Sequence, residues 1–170
     1  EMLKTFQEPL SQELIKRYHF CLKSGVFEDE ANGYPIGQYK NRRNRVYDIE
    51  TVTPEQVEDR MEELLQDYLK KDTVTLEDIL EFHARYENIH PFQDGNGRTG
   101  RIIMLKECLE HSICPFIISE QNRTIYIHGL NKAQKEKEYD DLLSYIEKEQ
   151  SVFYDTMKAY LYVYDICKKE

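Results

Sequence analysis

His90-Pro91-Phe92-Gln93-Asp94-Gly95-Asn96-Gly97-Arg98-Thr99-Gly100-Arg101 places a base, a carboxylate, a glycine-rich turn and two guanidinium groups within twelve consecutive residues. Such a stretch is suited to holding a phosphate. Gly95 and Gly97 reach φ > 0 at no steric cost, so their backbone N–H groups are expected to turn inward and form an anion-binding concavity. A helix starting at about Arg98 would add its unpaired N–H groups and positive dipole end to the same pocket. Arg98 and Arg101, three apart, then share one helical face and reach the same ligand. Pro91 disfavours the α region at His90, which predicts that the preceding helix stops there and presents the imidazole at a helix-to-loop junction. Neutral imidazole near pH 7 is a competent proton acceptor.

Rival readings of these residues fail on context. Gly95-Asn96-Gly97-Arg98-Thr99-Gly100 satisfies Gly-x-Gly-x-x-Gly, but that fingerprint needs a buried strand just before it. Here Asn88, His90, Pro91 and Asp94 precede the glycines, with a helical pattern further upstream. No Gly-x-x-x-x-Gly-Lys occurs, which removes a Walker-A loop. His19, His83, His111 and His128 show no zinc spacing and read as core or surface histidines. Phe92 reads as an anchor that holds the loop on the core.

Working outward, Ser11 looks like an N-cap followed by Leu14, Ile15, Tyr18 and Leu22 at helical spacing, with a stop at Gly25. The periodicity then fails from Val26 to Asp48. Within that loop Gln38-Tyr39 and Val46-Tyr47 are expected to pair as short strands of a small β-hairpin around Asn41 to Asn44. Thr53-Pro54-Glu55-Gln56 combines an N-cap, proline at the first helical position and a capping-box glutamine ahead of Val57, Met61, Leu64, Leu65 and Tyr68. Thr75 to Asp78 repeats the start signal and leads through Ile79, Leu80, Phe82, His83 and Tyr86 to the motif. After it, Ile102, Ile103, Leu105 and Leu109 predict a helix buried on several sides that ends before Pro115. Phe116 to Ile118 and Thr124 to Ile127 are strand-like in composition. A last apolar stripe, Tyr154, Met157, Leu161 and Tyr164, is read as core packing by tyrosine in a chain without tryptophan.

With 170 residues and no internal repeat, the chain suits one mostly α domain. The longest aliphatic run, Ile102 to Leu105, is too short for a bilayer, and no apolar signal region opens the chain, so no membrane partner and a cytoplasmic location are expected. Cys21, Cys108, Cys114 and Cys167 have no Cys-x-x-Cys spacing and read as buried thiols. A net charge of -9 argues against generic nucleic-acid binding. Against it, Lys40, Arg42, Arg43 and Arg45 put four cations in six residues with no acid among them; composition alone reads them as a solvated loop.

The segment His90 to Arg101 resembles the signature of the Fic family, His-x-Phe-x-(Asp/Glu)-Gly-Asn-Gly-Arg-x-x-Arg, at every defined position. The resemblance extends from about Ser11 to about Tyr154. Softer supports are Gly37-Gln38-Tyr39-Lys40, Thr53-Pro54 and Glu87-Asn88-Ile89. It implies a Fic-type helical bundle with a small β-hairpin flap, a single domain over 1–170, and a C-terminal helix at about 151–167 packing on it. It also implies a protein adenylyltransferase that moves AMP from ATP to a Ser, Thr or Tyr hydroxyl of a target protein and releases pyrophosphate. His90 would be the base and Asp94 the Mg²⁺ ligand. Gly95 to Gly97, with the Asn96 side chain, would cradle the phosphates, and Arg98 and Arg101 would bind the β- and γ-phosphates. In the family a lysine at the Asp94 position goes with phosphotransfer; this chain keeps the carboxylate.

The target-docking flap would run from about Gln38 to Val46, through Tyr39, Lys40, Arg42, Arg43 and Arg45, with a preference for acidic or phosphate-bearing surroundings. The motif reads phosphates and says little about the base, so another donor, removal of AMP, or a nucleotide-binding regulatory module with negligible turnover stays open. The family's inhibitory pattern, (Ser/Thr)-x-x-x-Glu-(Gly/Asn), is half-matched at Ser24, Thr51 and Thr73, but Asp29, Gln56 and Asp78 break it. The inhibitory helix is therefore expected upstream of residue 1, in trans on another chain, or not at all, and a homo-oligomer stays open.

Overall fold

The Ser11 hydroxyl accepts a hydrogen bond from the Leu14 backbone N–H at 3.1 Å and opens the first long helix, as its sequence predicts. The computed structural model describes residues 1–46 and 49–167. In chain order it contains α1 (Met2–Thr5), α2 (Gln12–Lys23), α3 (Phe27–Ala31), β1 (Arg45–Val46), β2 (Ile49–Glu50), a 3-10 turn at Pro54–Gln56, α4 (Val57–Leu69), α5 (Leu76–Ile89), α6 (Asn96–Glu110), α7 (Arg123–Glu136) and α8 (Asp140–Cys167). The expected mostly α fold with a small hairpin is present. Thr75 and Asp78 close a reciprocal capping box at the start of α5.

Two apolar clusters lie on either side of the α5–α6 pair. In one, Leu14, Ile15 and Tyr18 of α2 and Val57, Met61, Leu64 and Leu65 of α4 pack with Phe82, Tyr86, Phe92 and Ile103. In the other, Ile79, Leu80 and Ala84 of α5 and Met104 and Cys108 of α6 meet Tyr126 and Ala133 of α7 and Leu142, Tyr145 and Ile146 of α8. The motif sits at the turn between these two central helices, so both clusters hold it. Burial on two sides is the reason α6 shows no single apolar stripe.

Several expectations are corrected. The antiparallel hairpin pairs Arg45 with Glu50 and Val46 with Ile49, so Gln38-Tyr39 takes no part in it. Tyr39 instead packs its ring 5.5 Å from Phe92 with the Lys16 ammonium over the ring at 4.3 Å, and the Lys40 N–H donates to the Pro91 carbonyl rather than to a partner strand. Tyr47, expected in the second strand, lies outside the described residues. Thr53 begins a 3-10 turn with no cap bond to the backbone, and regular α structure starts only at Val57. Phe116 to Ile118 is irregular and Thr124 to Ile127 lies in α7. There Tyr126, Gly129 and Ala133 are buried at helical spacing, and a Cβ on Gly129 would come within 3.0 Å of Leu142, so close approach to α8 overrides β-type composition.

The C-terminal helix starts at Asp140, not near 151, and beyond that point Tyr154, Met157 and Leu161 are 57%, 41% and 59% exposed. These residues do not pack on the domain as a core stripe would; the side chain of Tyr164 lies outside the described set. Cys21 is exposed rather than buried.

Candidate active site at the turn between two central helices

α5 ends at Ile89, and His90 caps it in the left-handed region with φ 51° and ψ 62°. A non-glycine residue there stores strain of roughly 1 kcal/mol or more, which persists only where the surroundings fix it. Several contacts do so. Phe92 donates its N–H to Asn96 Oδ1 at 2.8 Å and accepts from Asn96 Nδ2 at 2.7 Å. Its ring is fully buried and stacks on His19 at 3.8 Å. His19 donates from Nε2 to the Asp94 carbonyl and accepts the Gly37 N–H at Nδ1, each at 3.0 Å. Both ring nitrogens are thus used, and burial pushes the imidazole below its ordinary pKa.

The His90 side chain is 17% exposed, and its Nδ1 is buried 3.6 Å from Glu87 Oε2. Glu87 is itself buried. Its desolvation is outweighed by His90, His83 and Arg101, which hold the carboxyl below its usual range. Facing an anion favours the proton on Nδ1 and leaves Nε2 as the basic nitrogen. Glu87 lies one turn before His90, a spacing readable from sequence, where Glu87 counted only as part of the lead-in to the motif and not as a partner of His90.

Gly95 takes φ 82° and caps α6 without a side-chain bond, so the N–H groups of the first turn have no helical acceptor and no acid stands among them. Gly97 does not take positive φ; it lies inside α6, where a Cβ would sit 3.2 Å from Arg101 Nη1. The helix begins two residues earlier than expected. Asn96 is also corrected: both ends of its buried amide are spent on Phe92, leaving its backbone rather than its side chain for a ligand.

Asp94 is 50% exposed, with Oδ2 at 2.5 Å from Lys23 Nζ and 3.1 Å from Arg98 Nη2. Burial works against the anion, but the Lys23 and Gly95 hydrogen bonds and the Arg98 charge bring its pKa below the ordinary value. Lys23, buried and also 2.5 Å from Asp29, is a contact no sequence spacing signals. Arg98 and Arg101 come together as expected: they line one cavity of about 400 Å³ with Ser119, Glu120, Arg123 and Tyr126. Arg123 and Tyr126 were not among the expected site residues.

The flap residues divide. Gln38, Arg42, Arg43 and Arg45 are exposed, Tyr39 and Val46 are half-buried, and Lys40 is only 3% exposed, with its ammonium turned inward. Lys40 therefore cannot serve as a docking cation.

The sequence profile of the Fic/DOC family matches residues 9–108, more than half of the chain. The chain belongs to the Fic/DOC family. Among curated Fic proteins it is 33% identical over 135 residues to the protein adenylyltransferase Fic of Nematostella vectensis, covering 77% of this chain and 30% of that protein. A probable protein adenylyltransferase of Aquifex aeolicus is 41% identical over 54 residues, or 32% of this chain and 16% of the relative. The chain thus spans under a third of the curated relatives' length. Solved Fic structures share the fold: a Fic domain-containing signalling protein of Bacteroides thetaiotaomicron (TM-score 0.73, 22% identity, 89% of this chain and 63% of that one). BepC of Bartonella tribocorum with bound AMPPNP gives 0.62 at 16% identity over 91% and 79%. Among the described residues no helix is long and apolar enough to cross a membrane.

Proposed function

We propose that this Fic domain transfers AMP from ATP to a hydroxyl side chain of a target protein and releases pyrophosphate. One observation carries the reading: a strained, partly exposed imidazole backed by a buried carboxylate stands at the same turn as an uncapped helix N-terminus and two arginines that share a cavity. The names of the Nematostella and Aquifex relatives support it.

In this mechanism His90 Nε2 takes the proton of the incoming Ser, Thr or Tyr hydroxyl, and Glu87 stabilises the imidazolium that forms. The hydroxyl oxygen bonds to the α-phosphorus, and the bond from that phosphorus to the bridging oxygen breaks, its electron pair leaving with pyrophosphate. The first-turn N–H groups of α6 face the phosphate oxygens, while Arg98 and Arg101 neutralise charge on the leaving group. The donors fit a divalent cation: Asp94 is half-exposed, its Oδ1 has no side-chain partner among the described residues, and Mg²⁺ takes one or two carboxylates plus phosphates. When bound, Mg²⁺ supplies charge neutralisation on the phosphates.

Loss of a general base costs about 10²–10⁴-fold, so His90→Ala is expected to bind ATP normally and lose transfer by that order. Equilibrium binding of ATP and intact mass of the target, read for one added AMP, check both halves. An unchanged transfer rate would remove the base assignment, and binding without any adduct from the wild-type chain would favour a regulatory module.

A further inference from the structure

Lys40 was expected on the surface of the flap, and its position inside the fold points elsewhere. The ammonium donates to three neutral oxygens: Asn44 Oδ1 at 2.7 Å, Thr51 Oγ1 at 2.9 Å and the Ile89 carbonyl at 3.2 Å. Asn44 immediately precedes β1 and Thr51 immediately follows β2, so two of these bonds grip the base of the hairpin. Thr51 tightens that base by donating to Asn44 as well. The third bond holds the peptide just before His90.

The same segment also grips the other side of that residue. The Lys40 backbone N–H donates to the Pro91 carbonyl at 2.8 Å, and Asn44 Nδ2 donates to the Phe92 carbonyl at 2.9 Å. Carbonyls 89, 91 and 92 are therefore all bound by residues 40 and 44, and the strained left-handed residue between them is His90. Left-handed strain at a non-glycine residue persists only where neighbouring contacts over-determine it, and these contacts do so. Among the described residues the ammonium has no carboxylate partner, and burial alone pushes its pKa down to about 8. A buried cation held by neutral oxygens is a costly way to fill space, as functional positions often are.

We propose that Lys40 is a positioning residue that fixes the His90 turn to the base of the hairpin, so that the segment expected to meet the target and the base that activates its hydroxyl move as one unit. This rests on the reading of His90 as the base. The consequence is specific: removing the ammonium should impair the chemical step while leaving the donor's binding contacts intact.

The test compares Lys40→Met, which keeps length and apolar packing, with Lys40→Arg, which keeps the donors, in the whole chain with ATP and target. Lys40→Met is expected to lower kcat about tenfold or more with KM for ATP within threefold, and Lys40→Arg to recover most of the loss. Lys40→Met retaining kcat within twofold would overturn the proposal, and so would a loss confined to KM for ATP. Should Lys40→Met not fold, Asn44→Ala, which removes the Phe92 bond and one hairpin grip, is held to the same split, and kcat within twofold overturns the proposal there too. If the wild-type chain transfers no nucleotide, the reading of function fails by itself. The strut is then decided by backbone amide resonances: joint shifts at 44–46 and at Ile89, His90 and Phe92 in the variant support it, and unmoved resonances at Ile89, His90 and Phe92 overturn it.

Discussion

His90 is held at φ 51° by contacts that come from four directions in the chain: the Asn96 amide, the His19 stack under Phe92, the Lys40–Asn44 carbonyl clamp and the Glu87 carboxylate. Glu87 is the contact that faces the imidazole itself. Glu87→Gln keeps the shape and removes the charge behind Nδ1, and misorientation of a reacting group costs up to the order of 10²-fold. Glu87→Gln is therefore expected to lose roughly 10–100-fold in kcat with ATP affinity unchanged, read by steady-state kinetics beside equilibrium binding. Equal kcat would show that Glu87 serves only the fold. At this scale the motif residues were legible in sequence because their chemistry is crowded into twelve positions. Asn96 and Lys40 were misread for one shared reason. Each side chain turns inward onto partners that include a backbone carbonyl, that of Phe92 for Asn96 and that of Ile89 for Lys40, and a carbonyl carries no side-chain identity that a sequence pattern reveals.

At the scale of elements, α5 and α6 meet at a glycine. A Cβ on Gly100 would lie 2.8–2.9 Å from the His83 ring, closer than real Cβ contacts, and a tight 3.0 Å from Glu87 Oε1. Alanine in a helix interior ordinarily stabilises by up to about 1 kcal/mol over glycine, but overpacking against a buried ring costs about 1–3 kcal/mol. Gly100→Ala is thus expected to destabilise the fold on balance, measured by urea denaturation, and to lower transfer by tilting α6 away from Glu87.

His83 adds a pH dependence. Burial, with Arg101 adding and Glu87 opposing, takes its imidazole from the ordinary 6.5 to about 4. The unfolded chain accepts a proton near 6.5 that the fold refuses until about 4, so this stability is whole above pH 6.5 and falls as pH drops toward 4. The loss is on the order of 3 kcal/mol. Urea midpoints at pH 7 and pH 5 should fall with acidification, and less steeply in His83→Gln. Helix starts were legible at Ser11 and Thr75 because a cap is local chemistry. The 124–127 segment was not, since its helical state is set by packing against Leu142 rather than by its own residues.

At the scale of the whole molecule, the motif turn lies where two apolar clusters share α5 and α6, and the hairpin stands beside it with Arg42, Arg43 and Arg45 exposed. If these cations meet an acidic target, Arg42→Glu with Arg43→Glu should raise KM for the target several-fold and leave KM for ATP unchanged, read in initial-rate assays at low salt where surface charge acts furthest. Unchanged target KM would remove the charge preference. The most direct test of the account is label transfer from ATP carrying its isotope at the α-phosphate, using the wild-type chain and His90→Ala side by side with candidate targets. Label should pass to specific protein bands from the wild-type chain and be lost from the variant. Equal labelling by both, or transfer only when the isotope is at the γ-phosphate, would contradict it.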